Sequence, residues 1–261
     1  MKDIKLVEPQ PDQVHEDAPG SVIINAHYKA IPTNYGMMLV NRHEYGLPWS
    51  LEENGEWVPI EIEFLMQFCK GVVFDVGANI GTHTLAFARK ASHVFSFEPQ
   101  KLTYYTLCSN ILLNNLFNVT PCELALGNFD GSIPMYTPDP TCRNASAGIP
   151  VGTGDNLVAI AKLDSLNLPI PSFIKIDVEG YELEVLRGAD NLLEKDVHFV
   201  YVEIHSEELI DPICTLMKSH GYTCKQAIQT RIVKPLDEEE PGKHLFDVYG
   251  YLFIGKGVTI V

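Results

Sequence analysis

The chain has no apolar run that approaches the ~20 residues of a membrane-spanning helix, and its N-terminus lacks the apolar core of a secretion signal. Basic charge is also scarce, because 19 Lys and Arg stand against 34 Asp and Glu, a formal net charge of −15. Nucleic-acid binding needs a basic face that neutralises phosphates. None of the six cysteines forms a CxxC pair, which predicts reduced thiols. We therefore expect a cytoplasmic protein that binds neither membranes nor nucleic acid.

Strands and helices alternate from residue 72 onward, in a chain of 261 residues that is 46% hydrophobic. Such alternation predicts an α/β fold, a mostly parallel sheet with helices on both faces. The last two strands are separated by an acidic loop without a clear helix, so we expect them to pair antiparallel. The predicted strands cover 72–76, 93–97, 119–127, 172–178, 198–204, 222–229 and 248–255, and the predicted helices cover 80–90, 101–115, 182–189 and 206–219.

Two segments depart from this alternation. Residues 1–70 are expected to form a loose tail of about 20 residues, a small β element and a helix over 61–70, while 71–261 form the main domain. Trp49 and Trp57 in this extension either cover a sheet edge or belong to a substrate lid. The stretch 128–160 contains prolines and glycines that predict a short hairpin and a mobile loop.

The turn DVGANIG, residues 75–81, follows the first core strand and predicts a ligand site. Ligands of open α/β sheets bind outside the carboxyl ends of strands, where glycines permit close approach and a helix start offers N–H groups. Glu98 ends the next strand and can accept hydrogen bonds from both hydroxyls of a ribose. The candidate cofactor residues at this turn are Asp75, Gly77, Asn79, Gly81 and Thr82, followed by Glu98.

Two ligand classes use this layout, the nicotinamide or flavin dinucleotides and S-adenosylmethionine. The dinucleotide fingerprint GxGxxG is absent, because the spacing here is GxNxG. An acid such as Asp75 beside the pocket would repel a pyrophosphate but suits a ligand that carries an ammonium and a sulfonium. The charge argument therefore favours S-adenosylmethionine.

Ionisable residues interrupt two strands that should be apolar on both faces. Lys175, Asp177 and Glu179 alternate in one strand, and Glu203 and His205 alternate in the next. Because parallel strands end at the same edge, we expect all five groups to converge near Gly77 as candidate catalytic residues. A purely structural network, with Lys175 paired to Asp177 or Glu203, is the other interpretation.

These groups suit methyl transfer to a hydroxyl, which needs alignment of the reactants and help with the loss of a proton. His205 is the candidate base because its ordinary pKa lies near neutrality. Asp177 or Glu203 can orient the imidazole or hold the hydroxyl. The same set can bind a divalent cation, although nothing in the spacing requires a metal.

Five segments in order, DVGANIGTHTL, FSFEP, LDSL, FIKIDVEGYELEVLRGA and VYVEIH, resemble the FkbM family of methyltransferases over roughly residues 70–205. The resemblance implies a class I methyltransferase-like Rossmann fold with a seven-stranded sheet whose last strand is antiparallel. It implies a cofactor role for Asp75, Gly77, Asn79, Gly81 and Glu98, and contacts between adenine and the segment Leu124-Ala125. It also matches Asp177 and Glu179 to the acids of the DVEG motif.

The sequence therefore predicts an S-adenosylmethionine-dependent O-methyltransferase that acts on a hydroxyl of a sugar, glycoside or natural product. The acceptor is expected to be a small molecule or glycan, neutral or cationic because the chain is acidic. An NAD-binding oxidoreductase and a non-catalytic ligand-binding protein of the same fold are the alternatives. Acceptor identity and oligomeric state are not predicted.

Overall fold

A computed structural model describes residues 19–44, 46–139, 141, 152, 154, 156–233 and 245–258, with side chains omitted at 226–233 and 245–248. Its strands are β1 (Val22–Ile23), β2 (Tyr28–Thr33), β3 (Gly36–Asn41), β4 (Val72–Val76), β5 (His93–Phe97), β6 (Val119–Cys122), β7 (Ala125–Leu126), β8 (Gly131–Met135), β9 (Asn156–Ala161), β10 (Phe173–Ile176), β11 (Phe199–Ile204), β12 (Thr223–Val233) and β13 (Leu245–Ile254). Its α-helices are α1 (Leu47–Asn54), α2 (Pro59–Leu65), α3 (Thr82–Phe87), α4 (Lys101–Leu113), α5 (Glu182–Arg187), α6 (Asp190–Leu193) and α7 (Glu207–Ser219).

The central sheet has seven strands in the order β12-β13-β11-β10-β4-β5-β6. β13 is antiparallel to both of its neighbours, and the pairs from β11 to β6 are parallel. The predicted class I methyltransferase-like sheet with an antiparallel last strand is thereby confirmed. The chain runs outward from β4 through β5 to β6 and then returns to the other side of β4, so the strand order reverses between β4 and β10. Ligands of such sheets bind at this reversal.

The central strands are buried on both faces, as their apolar sequences predict. Val73 and Phe173 belong to the apolar cluster on one face, and Phe74 and Ile174 belong to the cluster on the other. Helices cover both clusters, since α5 and α7 contribute to the second and α4 to the first. Both faces of β4 and β10 are therefore closed to water, and only their carboxyl ends remain open to a ligand.

The strand predicted over 172–178 ends at Ile176, so Asp177 and Glu179 lie after it and not within it. A second predicted strand is also wrong in its extent. The expected strand 119–127 ends at Cys122, because the Leu124 N–H turns back to the Cys122 carbonyl oxygen at 3.0 Å. The following strand β7 pairs instead with β9, within a separate three-stranded sheet of order β7-β9-β8. The hairpin predicted within 128–160 is confirmed as the antiparallel pair β8–β9. The predicted mobile loop falls largely outside the described residues, as do the acidic loop 237–240 and the tail 1–18.

Two helices are shorter than their sequence patterns predicted. Residues 80 and 81 belong to the preceding turn, so α3 begins at Thr82 behind Gly81, which has a left-handed φ of 100°. The expected helix 182–189 is interrupted at Gly188 and continues as the separate helix α6. The helices predicted over 101–115 and 206–219 are confirmed as α4 and α7. None of the helices in the described part of the chain is long and apolar enough to cross a membrane.

The N-terminal extension forms the sheet β1-β2-β3 with α1 and α2, close to the predicted β element and helix. The helix begins at Pro59 and ends at Leu65, earlier at both ends than expected. The extension shares an apolar cluster with α3, to which Met38 and Leu85 belong, and Trp57 packs against that cluster. The Leu39 N–H also donates to the Asn110 side-chain oxygen of α4 at 2.6 Å. The extension therefore shares its core with the helices that follow β4 and β5.

A buried polar network joins the extension to the central sheet. Glu61 of α2 accepts the Tyr201 hydroxyl of β11 at 3.0 Å, and its other oxygen lies 3.0 Å from the His83 ring nitrogen Nε2. All three residues are buried. A Cβ at Gly250 of β13 would lie 2.1 Å from the Tyr201 hydroxyl, so a glycine is required there. The network explains how a charged side chain of α2 is accommodated against the sheet.

A buried ion pair occupies the centre of the same sheet. The Lys175 ammonium lies 3.1 Å from an Asp177 oxygen and 3.6 Å from an Asp75 oxygen. Lys175 and Asp75 are paired across β10 and β4, and both are almost fully buried. The structural interpretation of Lys175 is thus supported, with Asp75 as a second partner in place of Glu203.

Five described cysteines are free thiols, as predicted for a reducing environment. Cys214 of α7 and Cys224 of β12 lie close, with 3.1 Å between their sulfur atoms.

Replacing Lys175 with methionine should lower the free energy of unfolding by about 3–5 kcal/mol, because it leaves the buried Asp75 carboxylate without its counter-ion. Urea denaturation measures this change, and Lys195→Met at an exposed site is the matched control. Adding Asp75→Asn to Lys175→Met should restore part of the lost stability. Equal stability of the two methionine variants would contradict a counter-ion role.

Replacing Tyr201 with phenylalanine should cost about 1–3 kcal/mol of unfolding free energy, because one oxygen of the buried Glu61 then loses its donor. Tyr105→Phe removes a hydroxyl from an exposed tyrosine and should change stability by less than about 0.5 kcal/mol. Thermal or urea unfolding compares the two. If both variants match the parent protein, the network contributes nothing to stability.

Candidate active site

The turn after β4 has the strained backbone that its glycines predicted. Gly77, Asn79 and Gly81 have φ values of 79°, 52° and 100°. The N–H groups of Gly77 and Ala78 both donate to the Phe97 carbonyl at the end of β5, each at 3.0 Å. A Cβ at Gly77 would lie 1.7 Å from the Asp177 carbonyl oxygen, so only glycine lets the two strand ends approach this closely.

Glu98 is fixed beside this turn by two backbone donors. The Asn79 N–H donates to one carboxylate oxygen at 3.0 Å and the Gln100 N–H to the other at 2.8 Å. Only 6% of the residue is exposed. Burial raises the pKa of Glu98 to about 7, although the two backbone hydrogen bonds and Lys175 act in the opposite direction. The acid predicted to bind ribose is therefore held in one orientation at the rim of the turn.

A pocket opens between the turn and the carboxyl ends of β5 and β10. Among the predicted site residues, it is lined by Gly77, Asn79, Glu98, Leu124, Ala125, Asp177 and Glu179. Sequence reasoning missed the other lining residues, namely Val76, Phe97, Pro99, Gln100, Leu126, Met135, Val178 and Tyr181. Most of these adjoin a predicted residue in the chain and could have been found by extending each motif by one or two positions. Met135 comes from β8, and no sequence pattern placed it here.

Asp75, Gly81 and Thr82, three other predicted cofactor residues, do not line this pocket. Asp75 is fully buried, accepts the Thr84 hydroxyl at 2.6 Å and faces Lys175. Thr82 is buried in α3, and a Cβ at Gly81 would meet the Leu107 side chain at 2.7 Å. The Asp75 charge is compensated inside the sheet, so it does not act on a ligand as the sequence argument assumed. The acids that do face the pocket are Glu98, Asp177 and Glu179.

The acidic residues after β10 and at the end of β11 converge on His205. Of the five groups predicted to meet at the pocket near Gly77, only Asp177 and Glu179 line it. The ring nitrogen Nε2 lies 3.5 Å from Glu179, 3.6 Å from Asp177 and 3.9 Å from Glu203. Lys175 lies behind Asp177 as its counter-ion and does not reach this side. The five residues are therefore brought together, but Lys175 has a supporting place in the arrangement.

Sequence reasoning missed Glu182, the residue that orients His205. Its carboxylate lies 3.1 Å from the ring nitrogen Nδ1 and also accepts the Gly180 N–H at 2.8 Å. Glu182 is fully buried, and its second oxygen has no hydrogen-bond partner within the described part of the chain. The signal was present, because this glutamate follows the acids in the segment DVEGYE.

The protonation of this cluster differs from the expectation for a free base. Burial lowers the pKa of His205. The Glu182 hydrogen bond and the charges of Asp177, Glu179 and Glu203 outweigh this effect and raise the pKa to about 10. Burial, followed by Asp177 and Glu61, raises the pKa of Glu203 well above its usual range. The surrounding acids thus favour the imidazolium form of His205, and its assignment as the base stays a prediction.

Comparison with known proteins places this geometry in context. The model of the methyltransferase FkbM domain matches residues 75–224. The chain is 39% identical over 149 residues to hexuronic acid methyltransferase AglP of Haloferax volcanii, a match that covers 54% of this chain and 58% of AglP. The chain thus spans less than two thirds of that relative.

Solved structures share the fold at low sequence identity. A methyltransferase FkbM from Methylobacillus flagellatus superposes with a TM-score of 0.50 at 18% identity, over 70% of this chain and 44% of that one. Trm5b from Pyrococcus abyssi superposes with a TM-score of 0.54 at 15% identity, over 89% of this chain and 57% of that one. Because the FkbM domain match covers more than half of the chain and includes the glycine turn, Glu98 and the acidic cluster, the protein belongs to the FkbM methyltransferase family.

Proposed function

We propose that this protein is an S-adenosylmethionine-dependent O-methyltransferase that modifies a hydroxyl of a sugar, glycoside or natural product. The observation that carries the proposal is the shared wall between two sites. Asp177 and Glu179 line the pocket beside the glycine turn, and the same two residues face His205. A donor in the pocket and an acceptor at the cluster would therefore meet along this wall.

The pocket fits S-adenosylmethionine in chemistry and in charge. Glu98 would hold the ribose hydroxyls, the turn of Gly77 and Asn79 would hold the amino-acid end, and Leu124 and Ala125 would contact the adenine. Three acids line the pocket, which suits a cationic ligand and disfavours the pyrophosphate of NAD. When bound, S-adenosylmethionine supplies an electrophilic methyl group on a positively charged sulfur. Family membership likewise speaks against the oxidoreductase alternative.

The cluster fits a hydroxyl acceptor. Carboxylate oxygens of Asp177 and Glu179 at the shared wall can accept a hydrogen bond from the hydroxyl, so that its oxygen keeps a lone pair for the incoming methyl. Glu182 fixes the orientation of His205, which faces these two carboxylates. These residues would align the acceptor and accept its proton, two effects that each contribute to the rate.

A sugar is the acceptor class that we favour. The relative AglP is named as a hexuronic acid methyltransferase, and this chain is 39% identical to it over 149 residues. We also propose that the protein works in the cytoplasm and binds neither membranes nor nucleic acid, since its net charge is −15. The division into an extension, 1–70, and a methyltransferase domain, 71–261, is part of the same proposal.

Calorimetry with S-adenosylhomocysteine and NAD, together with methyl transfer to a panel of hexoses and hexuronates followed by mass spectrometry, tests this function. His205→Ala should lower turnover at least about 100-fold, while the affinity for S-adenosylhomocysteine is retained. His198→Ala changes a half-exposed histidine and is the matched control. Binding of NAD without the nucleoside would overturn the proposal. Nucleoside binding without transfer to any acceptor would favour the non-catalytic alternative.

The raised pKa of Glu98 predicts a pH-dependent affinity for the donor. Ribose hydroxyls bind the ionised carboxylate, so below pH 7 binding must first remove a proton from Glu98. The dissociation constant of S-adenosylhomocysteine should therefore rise about tenfold between pH 8 and pH 6. Calorimetry in both buffers measures this ratio.

Glu98→Gln should bind the nucleoside more weakly and with no change between the two pH values. Glu63→Gln, at an exposed position, should keep the tenfold ratio. A ratio that persists in Glu98→Gln would assign the titration to another group. For stability the sign is opposite, because the Glu98 contribution is present below pH 4.5 and is lost as the pH rises through 7.

A further inference from the structure

Three potential metal ligands meet beside the pocket at the ends of β10 and β11. One oxygen of Asp177, one oxygen of Glu203 and one ring nitrogen of His205 all lie within 4.8 Å of one another. Two ligands that are each about 2.1 Å from an ion, at angles of 90–110°, lie about 3.0–3.4 Å apart. The distances of 3.6 Å and 3.9 Å from His205 to the two acids are slightly longer than this span. A small contraction would bring all three atoms around one ion.

The histidine is oriented as a metal ligand would be. Its Nδ1 is engaged by Glu182 at 3.1 Å, so Nε2 is the nitrogen that points at the carboxylates. Metal-binding histidines typically give their other ring N–H to a carboxylate in this way. None of the distances from Nε2 to Asp177, Glu179 or Glu203 corresponds to a hydrogen bond, since the shortest is 3.5 Å. The nitrogen therefore faces three acids without a direct bond to any of them.

Glu203 supplies an independent reason to expect a cation. Only 8% of the residue is exposed, yet within the described ranges its carboxylate accepts no hydrogen bond, and its nearest charged partner is His205 at 3.9 Å. The one lysine nearby, Lys175, is engaged by Asp75 and Asp177. A buried carboxylate without a partner is costly, and it is directed at the point that Asp177 and His205 also face.

We infer that Asp177, Glu203 and His205 bind a divalent cation of the Mn²⁺ or Mg²⁺ class, with Glu182 as the residue that positions His205. Carboxylate ligands suit these hard ions, and one imidazole among them is compatible with Mn²⁺ in particular. Three protein ligands would leave coordination positions for a bound molecule, and one of these ligands, Asp177, also lines the pocket.

The role of the ion rests on the proposed function. A cation held by Asp177, Glu203 and His205 would make an acceptor hydroxyl more acidic, and the Glu179 carboxylate would accept the hydroxyl proton and release it to water. The hydroxyl oxygen would then use an electron pair to form the bond to the methyl carbon. The bond between that carbon and the donor sulfur would break, and its electron pair would stay on the sulfur.

Calorimetry and electron paramagnetic resonance with Mn²⁺ alone, on full-length protein stripped with a chelator, test the site without any turnover. The wild-type chain should bind one Mn²⁺ per molecule, and the bound ion should show coupling to an imidazole nitrogen. No binding at millimolar Mn²⁺, or a bound ion without nitrogen coupling, would overturn the assignment. The nitrogen coupling is measured on the wild-type protein and needs no variant.

Glu203→Gln should abolish Mn²⁺ binding and yet remain folded, because it removes a buried charge. Glu208→Gln makes the same chemical change at an exposed position and should bind normally. Asp177→Asn provides a second ligand variant, and Glu182→Gln should weaken binding about 10–100-fold. Circular dichroism confirms that each variant is folded. Unchanged Mn²⁺ affinity in folded Glu203→Gln and Asp177→Asn would refute the site.

Measurement of S-adenosylhomocysteine binding on the same samples separates the two proposals. Nucleoside binding without Mn²⁺ binding would refute the cation and leave the proposed function standing. Mn²⁺ binding without nucleoside binding would support the ion site and contradict the proposed function.

Discussion

The Lys175 ammonium, held between Asp75 and Asp177, is the interaction on which the architecture of the site depends. It lies where the strand order reverses, and it joins β4 to β10. This cation is the counter-ion of two carboxylates on adjacent strands, which would otherwise be left without one. Its own pKa is raised because Asp177 and Asp75 outweigh the effect of burial, so the ammonium stays charged. In turn, the pKa of Asp177 is lowered by Lys175 and His205 against the effect of burial.

This pairing divides the acids into two groups with different tasks. Asp75 is neutralised inside the sheet and contributes to the fold. Asp177 keeps one oxygen on Lys175 and turns the other toward His205, so it links the core to the open edge. Three further acids, Glu179, Glu182 and Glu203, surround the imidazole. A single edge of the sheet thereby carries both the pocket and a carboxylate-rich wall, which under the proposed function would take the donor and the acceptor.

The fold and nearly half of the residues that line the pocket could be predicted from the sequence, because they depend on local patterns. Apolar β-branched runs mark β4 and β10, the glycines mark the turn, and Glu98 follows its strand directly. What failed depends on the direction of side chains and on distant partners. Asp75 looked like a pocket residue by its position in DVGANIG, but its place in the strand directs it at Lys175. The turn at Cys122 separated β7 from the sheet through one backbone hydrogen bond that no residue type announced.

The catalytic side shows the same limit. The alternation of Asp177 and Glu179, and of Glu203 and His205, predicted their convergence, since parallel strands end together. The chemistry of the set was not predictable, because the pKa of His205 depends on how many acids surround it and on Glu182 in the next helix. Residue type alone suggested a neutral base, whereas the surroundings favour a cation at that point.

A crystal structure of the protein with bound S-adenosylhomocysteine tests the central claim, that one sheet edge holds both donor pocket and acceptor wall. The account predicts ribose hydroxyls on the Glu98 carboxylate and the sulfur atom beside Asp177, facing His205. A nucleoside bound elsewhere, or one whose ribose does not touch Glu98, would contradict it.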